Sequence, residues 1–205
     1  TWSVEARIDS VDRDLLRHAK EAGCDFVAYG VESGSQRVLD SMNKHVTLEQ
    51  IKKTVQITKE AGINIRAYFM LGLPGETLQD MDKTISFAKE LAVEVASFTL
   101  FVPLPGTVEY ARALKTGVFP DPEYYLHDVY PEFNFPDAPL YIPEGMTADQ
   151  LLQKHKSAYN RYYFRLSFLL KSLLSIRTTQ DITRYAKGML NLLGNAFMRE
   201  KKYGE

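Results

Sequence analysis

The chain has 205 residues, enough for one domain with a real core and a helical appendage. Hydrophobic content of 45% and charged content of 25% are ordinary for a globular protein, and the single Cys24 excludes an intrachain disulfide, a cysteine-rich zinc site and an iron–sulfur cluster held by this chain alone. The net charge of -1 conceals an asymmetry: residues 1–149 carry 14 Lys+Arg against 23 Asp+Glu, while residues 150–205 carry 11 against 3, so charge and pattern break together near residue 145.

Residues 2–8 alternate as a strand, and residues 11–22 read as an amphipathic helix stopped by Gly23. Phe26 to Val31 is a buried strand, followed by a short helix over 35–42. Thr47 caps the next helix, with Gln50 completing a capping box, and Gly62 ends it. Ile63 to Leu71 is a strand, the turn Gly72-Leu-Pro-Gly75 follows, and a helix runs over 77–91. Ser97 to Val102 is a fourth strand, closed by Pro103-Leu-Pro-Gly106, after which Thr107 caps a helix reaching Lys115. Strands alternating with helices predict right-handed βαβ crossovers and a parallel sheet.

Residues 117–146 hold six of the nine prolines, with aromatics between them, which reads as an ordered loop or lid. Two long helices are expected over 147–175 and 178–199. The predicted organisation is therefore βα units over 1–116, a Pro- and aromatic-rich segment over 117–146, and a basic amphipathic helical extension over 147–205. The chain opens in a strand pattern without an initiator Met, so a piece of a longer protein is expected. The lone cysteine, the lack of a signal peptide and the lack of an apolar run of the ~20 residues that span a bilayer favour a cytoplasmic setting.

Strand-to-helix corners build the active sites of parallel α/β barrels. Two such corners stand out: Tyr29-Gly-Val-Glu-Ser-Gly-Ser-Gln36 and Phe69-Met-Leu-Gly-Leu-Pro-Gly-Glu-Thr77. Glu32 follows an apolar strand directly, so its carboxylate sits at the rim and can accept hydrogen bonds from ribose hydroxyls or an amine. Ser33, Gly34 and Ser35 open a helix, and one of the two serines serves as its cap. Lys44 stands after that helix as a cation for a ligand carboxylate, or else as a solvated lysine. Gly72 and Gly75 form a backbone cradle, and Met70 packs on a flat ring or in the core. Glu5 and Arg7 share a strand face, as a structural ion pair or as ligand contacts. The four histidines lack metal-ligand spacing, and Cys24 reads as a small buried hydrophobe.

Residues 159–176 are aromatic and apolar with Arg and Lys at intervals. They pack on the barrel or lie against a membrane surface or hydrophobic partner. Nucleic-acid binding is disfavoured, because Lys and Arg are spread along apolar faces and not gathered in a patch.

On these residues the chain resembles the radical S-adenosylmethionine (SAM) enzymes. The match covers roughly residues 1–110 and rests on Trp2–Asp9, the two corners with Val38-Leu39, and Pro103-Leu-Pro-Gly-Thr107. The region from Ala158 on is similar to members that carry an upstream cobalamin-binding domain. The resemblance implies the C-terminal part of a partial (β/α)6 barrel, its last four βα units, followed by a helical extension. It implies SAM as cofactor, with Glu5 near the amino group, Glu32 on the ribose, Ser33 at the helix start, Lys44 facing the carboxylate, and Met70 and Gly72 beside the adenine. It also implies a [4Fe-4S] cluster whose three cysteines lie in a missing upstream segment, and cobalamin through an upstream domain. The partner it implies is the upstream half of the same protein, while the apolar tail and aromatic lid point to a small-molecule or lipid-like substrate such as a tetrapyrrole, terpenoid or lipid. The function expected is generation of a 5′-deoxyadenosyl radical for methyl transfer or oxidative cyclisation on an unactivated carbon. The rival reading is a truncated, non-catalytic remnant that binds a partner or a membrane. An acid–base barrel enzyme using Glu5 and Glu32 lacks a histidine or second acid to complete its site.

Overall fold

The computed structural model describes residues 1–121, 123 and 138–174, the last four by backbone only. The chain divides into two compact units, Thr1–His155 and the part from Lys156 on. In the first unit, strands β1 (Trp2–Ala6), β2 (Cys24–Glu32), β3 (Asn64–Leu71) and β4 (Val95–Leu100) form one sheet in the order β1-β2-β3-β4. Every neighbouring pair is parallel, as the βα alternation predicts. Helices α1 (Arg13–Glu21), α2 (Gln36–Ser41), α3 (Leu48–Glu60), α4 (Leu78–Leu91) and α5 (Val108–Thr116) make the crossovers and follow β4.

Period-two alternation sorts the strands into two faces. On the outer face Val27, Tyr29, Val31, Ile65, Ala67, Phe69, Leu71, Ala96, Phe98 and Leu100 are all buried. Phe69 and Phe98 stack with ring centroids 5.2 Å apart. The buried Tyr29 hydroxyl meets Thr58 Oγ1 at 2.9 Å, and Thr58 donates its own proton to the Thr54 carbonyl, so Tyr29 is the donor. The inner face carries Ser3, Glu5, Phe26, Ala28, Gly30, Arg66, Tyr68, Met70, Ser97 and Thr99, none of them buried.

The caps expected at Thr47 and Thr107 form: Thr47 with Gln50 makes a complete capping box, and Thr107 accepts from the Tyr110 amide. A second complete box, Thr77 with Asp80, adds to them. Two expectations are corrected. Ser35 occupies the cap position of α2 but its side chain caps nothing, because its hydroxyl donates to Asp80. Strand β1 ends at Ala6, so Arg7 lies beyond it and pairs with Asp9 at 2.8 and 3.0 Å instead of with Glu5.

The segment after α5 begins and ends in a small antiparallel pair, β5 (Gly117–Val118) with β6 (Ile142–Pro143). Tyr141 is buried beside it and donates to the Thr116 carbonyl at 2.8 Å. With Val38, Leu73, Phe101 and Ala113 it forms a second core, against which Met42, Met70 and Phe119 pack. Most of the Pro- and aromatic-rich stretch lies outside the described residues, as does the helix expected over 178–199.

Helix α6 (Ala148–Tyr163) crosses the boundary between the units. In the first unit, Leu151 is buried and His155 donates from Nε2 to the Phe98 carbonyl at 2.8 Å. In the second, Tyr159, Tyr162, Tyr163 and Phe168 cluster, and the Arg165 guanidinium lies 4.1 Å from the Tyr162 ring centroid. Helix α7 (Leu166–Leu174) follows. Among the described residues no helix is long and apolar enough to cross a membrane.

Candidate ligand site at the strand ends

The C-terminal ends of the strands bring two predicted residues together. Lys44 Nζ donates to Glu32 Oε1 at 2.9 Å, with side-chain exposures of 21% and 16%. The backbone is bent to make this pair. Glu32 has φ 69, and Asn43 (φ 53) and His45 (φ 56) flank Lys44. Of the four non-glycine residues with left-handed backbone among those described, three therefore shape one contact. Such conformations are costly and collect where geometry serves a ligand. A register shift between Gly30 and Glu32 adds to the effect. It is a bulge that turns the last residue of β2, and the Glu32 carboxylate folds back over Gly30. A Cβ at Gly30 would collide with Glu32 Oε1 and stand 3.4 Å from Lys44 Nζ.

The corner after β2 is clamped to α4. Gly34 approaches so closely that a Cβ would lie 2.5 Å from Phe87 Cβ and 2.7 Å from Thr84 Cα. Thr84 Oγ1 accepts from the Gly34 amide at 3.0 Å and from Ser33 Oγ at 3.0 Å, while donating to the Asp80 carbonyl. Ser33 is fully buried and also accepts from the Ser35 amide, so its hydroxyl is occupied within the corner. Asp80 accepts from Ser35 at 2.7 Å, from Thr77 and from Arg37, which also donates to the Gly75 carbonyl. Burial pushes the Asp80 carboxyl up, but the hydrogen bonds from Thr77, Arg37 and Ser35 hold it well below the usual carboxylate range. One ionised carboxylate thus ties both corners together. Sequence reasoning missed Asp80, Arg37 and Thr84. The available signal was the capping box that begins at Thr77.

The second corner has its own carboxyl. Glu76 is 3% exposed, and its Oε2 accepts the amides of Gly72 at 2.7 Å and Leu73 at 3.1 Å. Its Oε1 has no hydrogen-bond partner among the described residues. Burial pushes its pKa up to about 7, against the pull of those two amides. Gly72 (φ 82) is buried, and a Cβ there would stand 3.1 Å from Leu151 Cδ1. Met70 is half-buried on the inner face, paired across the sheet with Thr99.

Glu5 stands apart from Glu32 and Lys44. It pairs across the sheet with Ala28, four residues and about 13 Å below Glu32 along β2. Its carboxylate accepts a long hydrogen bond, 3.4 Å, from Tyr68. Cys24 is buried at the opposite end of β2, and its pKa is raised chiefly by burial. No group of three His, Cys, Asp or Glu that could hold a metal ion exists among the described residues.

Comparison with known proteins gives a concordant result. Residues 3–88 match the radical SAM superfamily model. An uncharacterised methyltransferase of Pyrococcus horikoshii is 28% identical over 173 residues, covering 84% of this chain and 36% of that protein. The anaerobic magnesium-protoporphyrin IX monomethyl ester cyclase of Rubrivivax gelatinosus is 29% identical over 171 residues, covering 82% of this chain and 29% of that protein. The chain thus spans about a third of the length of these curated relatives. Among solved structures, the coproporphyrinogen III oxidase HemN from Escherichia coli, a radical SAM enzyme, gives a TM-score of 0.56 at 19% identity, covering 78% of this chain and 32% of that one. The cobalamin-dependent S-adenosylmethionine radical enzyme OxsB in its apo form gives 0.56 at 16% identity, covering 95% and 34%. These last two likenesses are of fold.

Proposed function

The chain belongs to the radical SAM superfamily, and from that premise we propose that it is the C-terminal part of an enzyme that binds SAM and transfers a methyl group to, or oxidatively closes a ring at, an unactivated carbon. The carrying observation is the Glu32–Lys44 pair, held at the strand ends by three left-handed residues. Support for the reaction class comes from relatives named as a methyltransferase and as a cyclase. Two of the relatives are named for tetrapyrrole substrates, magnesium-protoporphyrin IX monomethyl ester and bacteriochlorophyllide d, and we take a tetrapyrrole as the substrate class.

The residues present fit SAM. Glu32 offers carboxylate oxygens to a ribose diol, and Lys44 offers a cation to the ligand's carboxylate. Entry of the ligand replaces each partner of the resting pair, so neither charge is left stranded. Gly30, lacking a Cβ, makes room for the Glu32 carboxylate to fold back over β2. Met70 gives a polarisable surface for adenine, whereas Gly72, also expected beside the adenine, lies under Leu151 with its amide on Glu76. In the superfamily SAM supplies a 5′-deoxyadenosyl radical when it is reductively cleaved. The residues here do not fit the [4Fe-4S] cluster. The sole cysteine is buried at the far end of β2, and no metal-binding group was found among the described residues. The cluster and a cobalamin domain are assigned to a segment outside this chain, together with the strands that would complete a partial (β/α)6 barrel. The chain's coverage of only 36% and 29% of its relatives supports that assignment.

We also assign peripheral contact with an anionic membrane surface, in the cytoplasm, to residues 159–176. Phe164, Leu166 and Leu170 are 37%, 71% and 50% exposed there, near Arg161 and Arg165. Salt-sensitive sedimentation with phosphatidylserine vesicles is expected, and its absence in Leu166→Ser/Leu170→Ser protein would locate the contact.

The test of the main reading is SAM titration of the full-length protein without oxygen, followed by assay of 5′-deoxyadenosine under reduction. Glu32→Ala is expected to weaken SAM binding at least tenfold with unchanged thermal unfolding. Unchanged affinity would sink the site. Loss of vesicle binding with intact SAM cleavage would separate the membrane contact from catalysis. A non-catalytic remnant predicts no SAM binding, and the strained Glu32–Lys44 geometry weighs against it.

A further inference from the structure

Glu32 is held in a turn that it does not close by itself. The Ser33 amide donates to the Val31 carbonyl at 2.9 Å, which makes Glu32 the centre of a three-residue γ-turn. With φ 69 there, the turn is the rare and strained form of its kind. Glycine would take this backbone without strain. A glutamate in its place carries a cost that persists only where the surroundings over-determine the conformation. The Glu32 side chain does not supply that constraint, because its hydrogen bond goes to the end of the long, rotatable Lys44 side chain.

The constraint lies on the C-terminal side of the turn and comes from α4. Thr84 Oγ1 accepts from Ser33 Oγ and from the Gly34 amide, both at 3.0 Å, and donates to the Asp80 carbonyl one helical turn earlier. Thr84 is fully buried, so none of these bonds competes with water. Gly34 is pressed onto the helix at the same place: a Cβ there would lie 2.7 Å from Thr84 Cα and 2.8 Å from the Lys83 carbonyl oxygen. A second tie, from Ser35 Oγ to Asp80 at 2.7 Å, fastens the loop to the same helix. On the N-terminal side, β2 is paired with β3 up to Gly30 and again at Glu32. The strained residue therefore stands between two fixed points, a sheet and a helix.

Resting on the reading of Glu32 as a SAM ligand, we propose that Thr84 is a positioning residue for SAM binding, buried behind the loop and acting through Glu32. Its hydroxyl holds Ser33 and Gly34 in place. That keeps the γ-turn closed and the Glu32 carboxylate folded over Gly30 beside Lys44. Without the hydroxyl, the Gly34 amide and the Ser33 hydroxyl lose their buried acceptor. The loop then shifts to satisfy them, and the shift that relieves most strain is at Glu32. The carboxylate is mis-aimed while the sheet and helices persist. The site asks for one group that accepts twice and donates once. Serine can do this, whereas valine, close to threonine in shape, cannot.

The test is SAM titration of the full-length protein without oxygen, well below its unfolding midpoint, so that only folded protein is read. Thr84→Val is expected to weaken SAM binding about tenfold, and Thr84→Ser to stay within about threefold of the parent. The deciding measurement places the valine substitution in Glu32→Ala protein. There it should weaken SAM binding no further, because a residue acting through Glu32 has nothing left to position. Losses that multiply in the double variant would make Thr84 a structural residue with no part in aiming Glu32. Unchanged affinity in Thr84→Val, or a serine variant as weak as the valine one, would also overturn the proposal. If Thr84→Val does not fold, Ser35→Ala, which cuts the tie to Asp80, carries the same expectation: weaker SAM binding in the parent and no effect in the Glu32→Ala background. Failure of the unaltered protein to bind SAM, or a Glu32→Ala protein that binds it as tightly as the parent, would instead break the SAM reading, so the two failures are distinguishable.

Discussion

The two faces of the four-stranded sheet are made from the same strands and differ in everything else. The outer face is ten buried apolar or aromatic side chains pressed against helices. The inner face carries Glu5, Arg66, Tyr68, Ser97 and Thr99, with small residues at Ala28 and Gly30. Alternation with a period of two lets one strand serve both. Burial of the outer face stabilises the fold, and that leaves the inner face, apart from Met70 on the second core, with few packing duties. Charges can then stand in mid-strand, and a glycine can be kept where a larger residue would pack better.

The largest expected effect tests the outer face. Phe69 is fully buried and stacked on Phe98. Phe69→Ala should cost about 3–5 kcal/mol, through lost transfer energy and the cavity left behind. Denaturant unfolding of the protein would measure it. Ser97→Ala, one strand away on the inner face, should stay within about 0.5 kcal/mol of the parent. Comparable losses from the two would mean that the faces are not separable.

A smaller effect comes from a carboxyl buried beyond the strand ends. Glu76 is buried at the second corner, and its pKa rises from 4.5 to about 7 because burial penalises the charged form. Between those values the folded protein keeps a proton that the unfolded chain has released. Its contribution is therefore fully present below about pH 4.5 and is lost as pH rises through about 7. The span is on the order of 3 kcal/mol. Glu76→Gln keeps an acceptor for the Gly72 and Leu73 amides and removes the titration. Thermal unfolding at several pH values between 5 and 8 should fall for the parent and stay flat for the variant. Parallel curves would show that Glu76 is ionised throughout.

These residues also show what a sequence can disclose. The strand and helix order, the capping box at Thr47 and the burial of Cys24 follow from local rules, since caps, breakers and alternation act within a few residues. Glu32 and Lys44 were identifiable as site candidates, but their mutual contact depends on a bulge and on left-handed backbone at Asn43 and His45. Neither has a sequence signature, because none of the bent residues is glycine. The role of Ser33 was illegible for another reason. Its partner, Thr84, lies 51 residues away on α4. The expected Glu5–Arg7 pair failed because β1 is one residue too short to hold both. The opposite charge in the same cross-strand row as Glu5 sits two strands over, at Arg66, and pairing across strands depends on register, which the sequence does not print.

The smallest effect separates the faces most cleanly. Gly30 sits in β2 without left-handed backbone, so alanine is conformationally admissible there. In a strand interior, replacing glycine stabilises the fold by roughly 0.5–1 kcal/mol, because the unfolded chain loses freedom. The added Cβ meets no backbone atom but would collide with the end of the Glu32 side chain, which can swing away. The carboxylate then leaves its place over β2 and its bond to Lys44 is broken. Gly30→Ala should therefore unfold at the same or a higher temperature while binding SAM roughly tenfold more weakly, about 1.4 kcal/mol. Calorimetry and SAM titration on one preparation would read both. A gain in stability with a loss in binding cannot come from general damage. It requires that Glu32, in the folded-back position over Gly30, be a ligand-binding group. If SAM affinity were unchanged, the resting position of Glu32 would have no bearing on binding, and the pair with Lys44 would be a surface ion pair with only structural value.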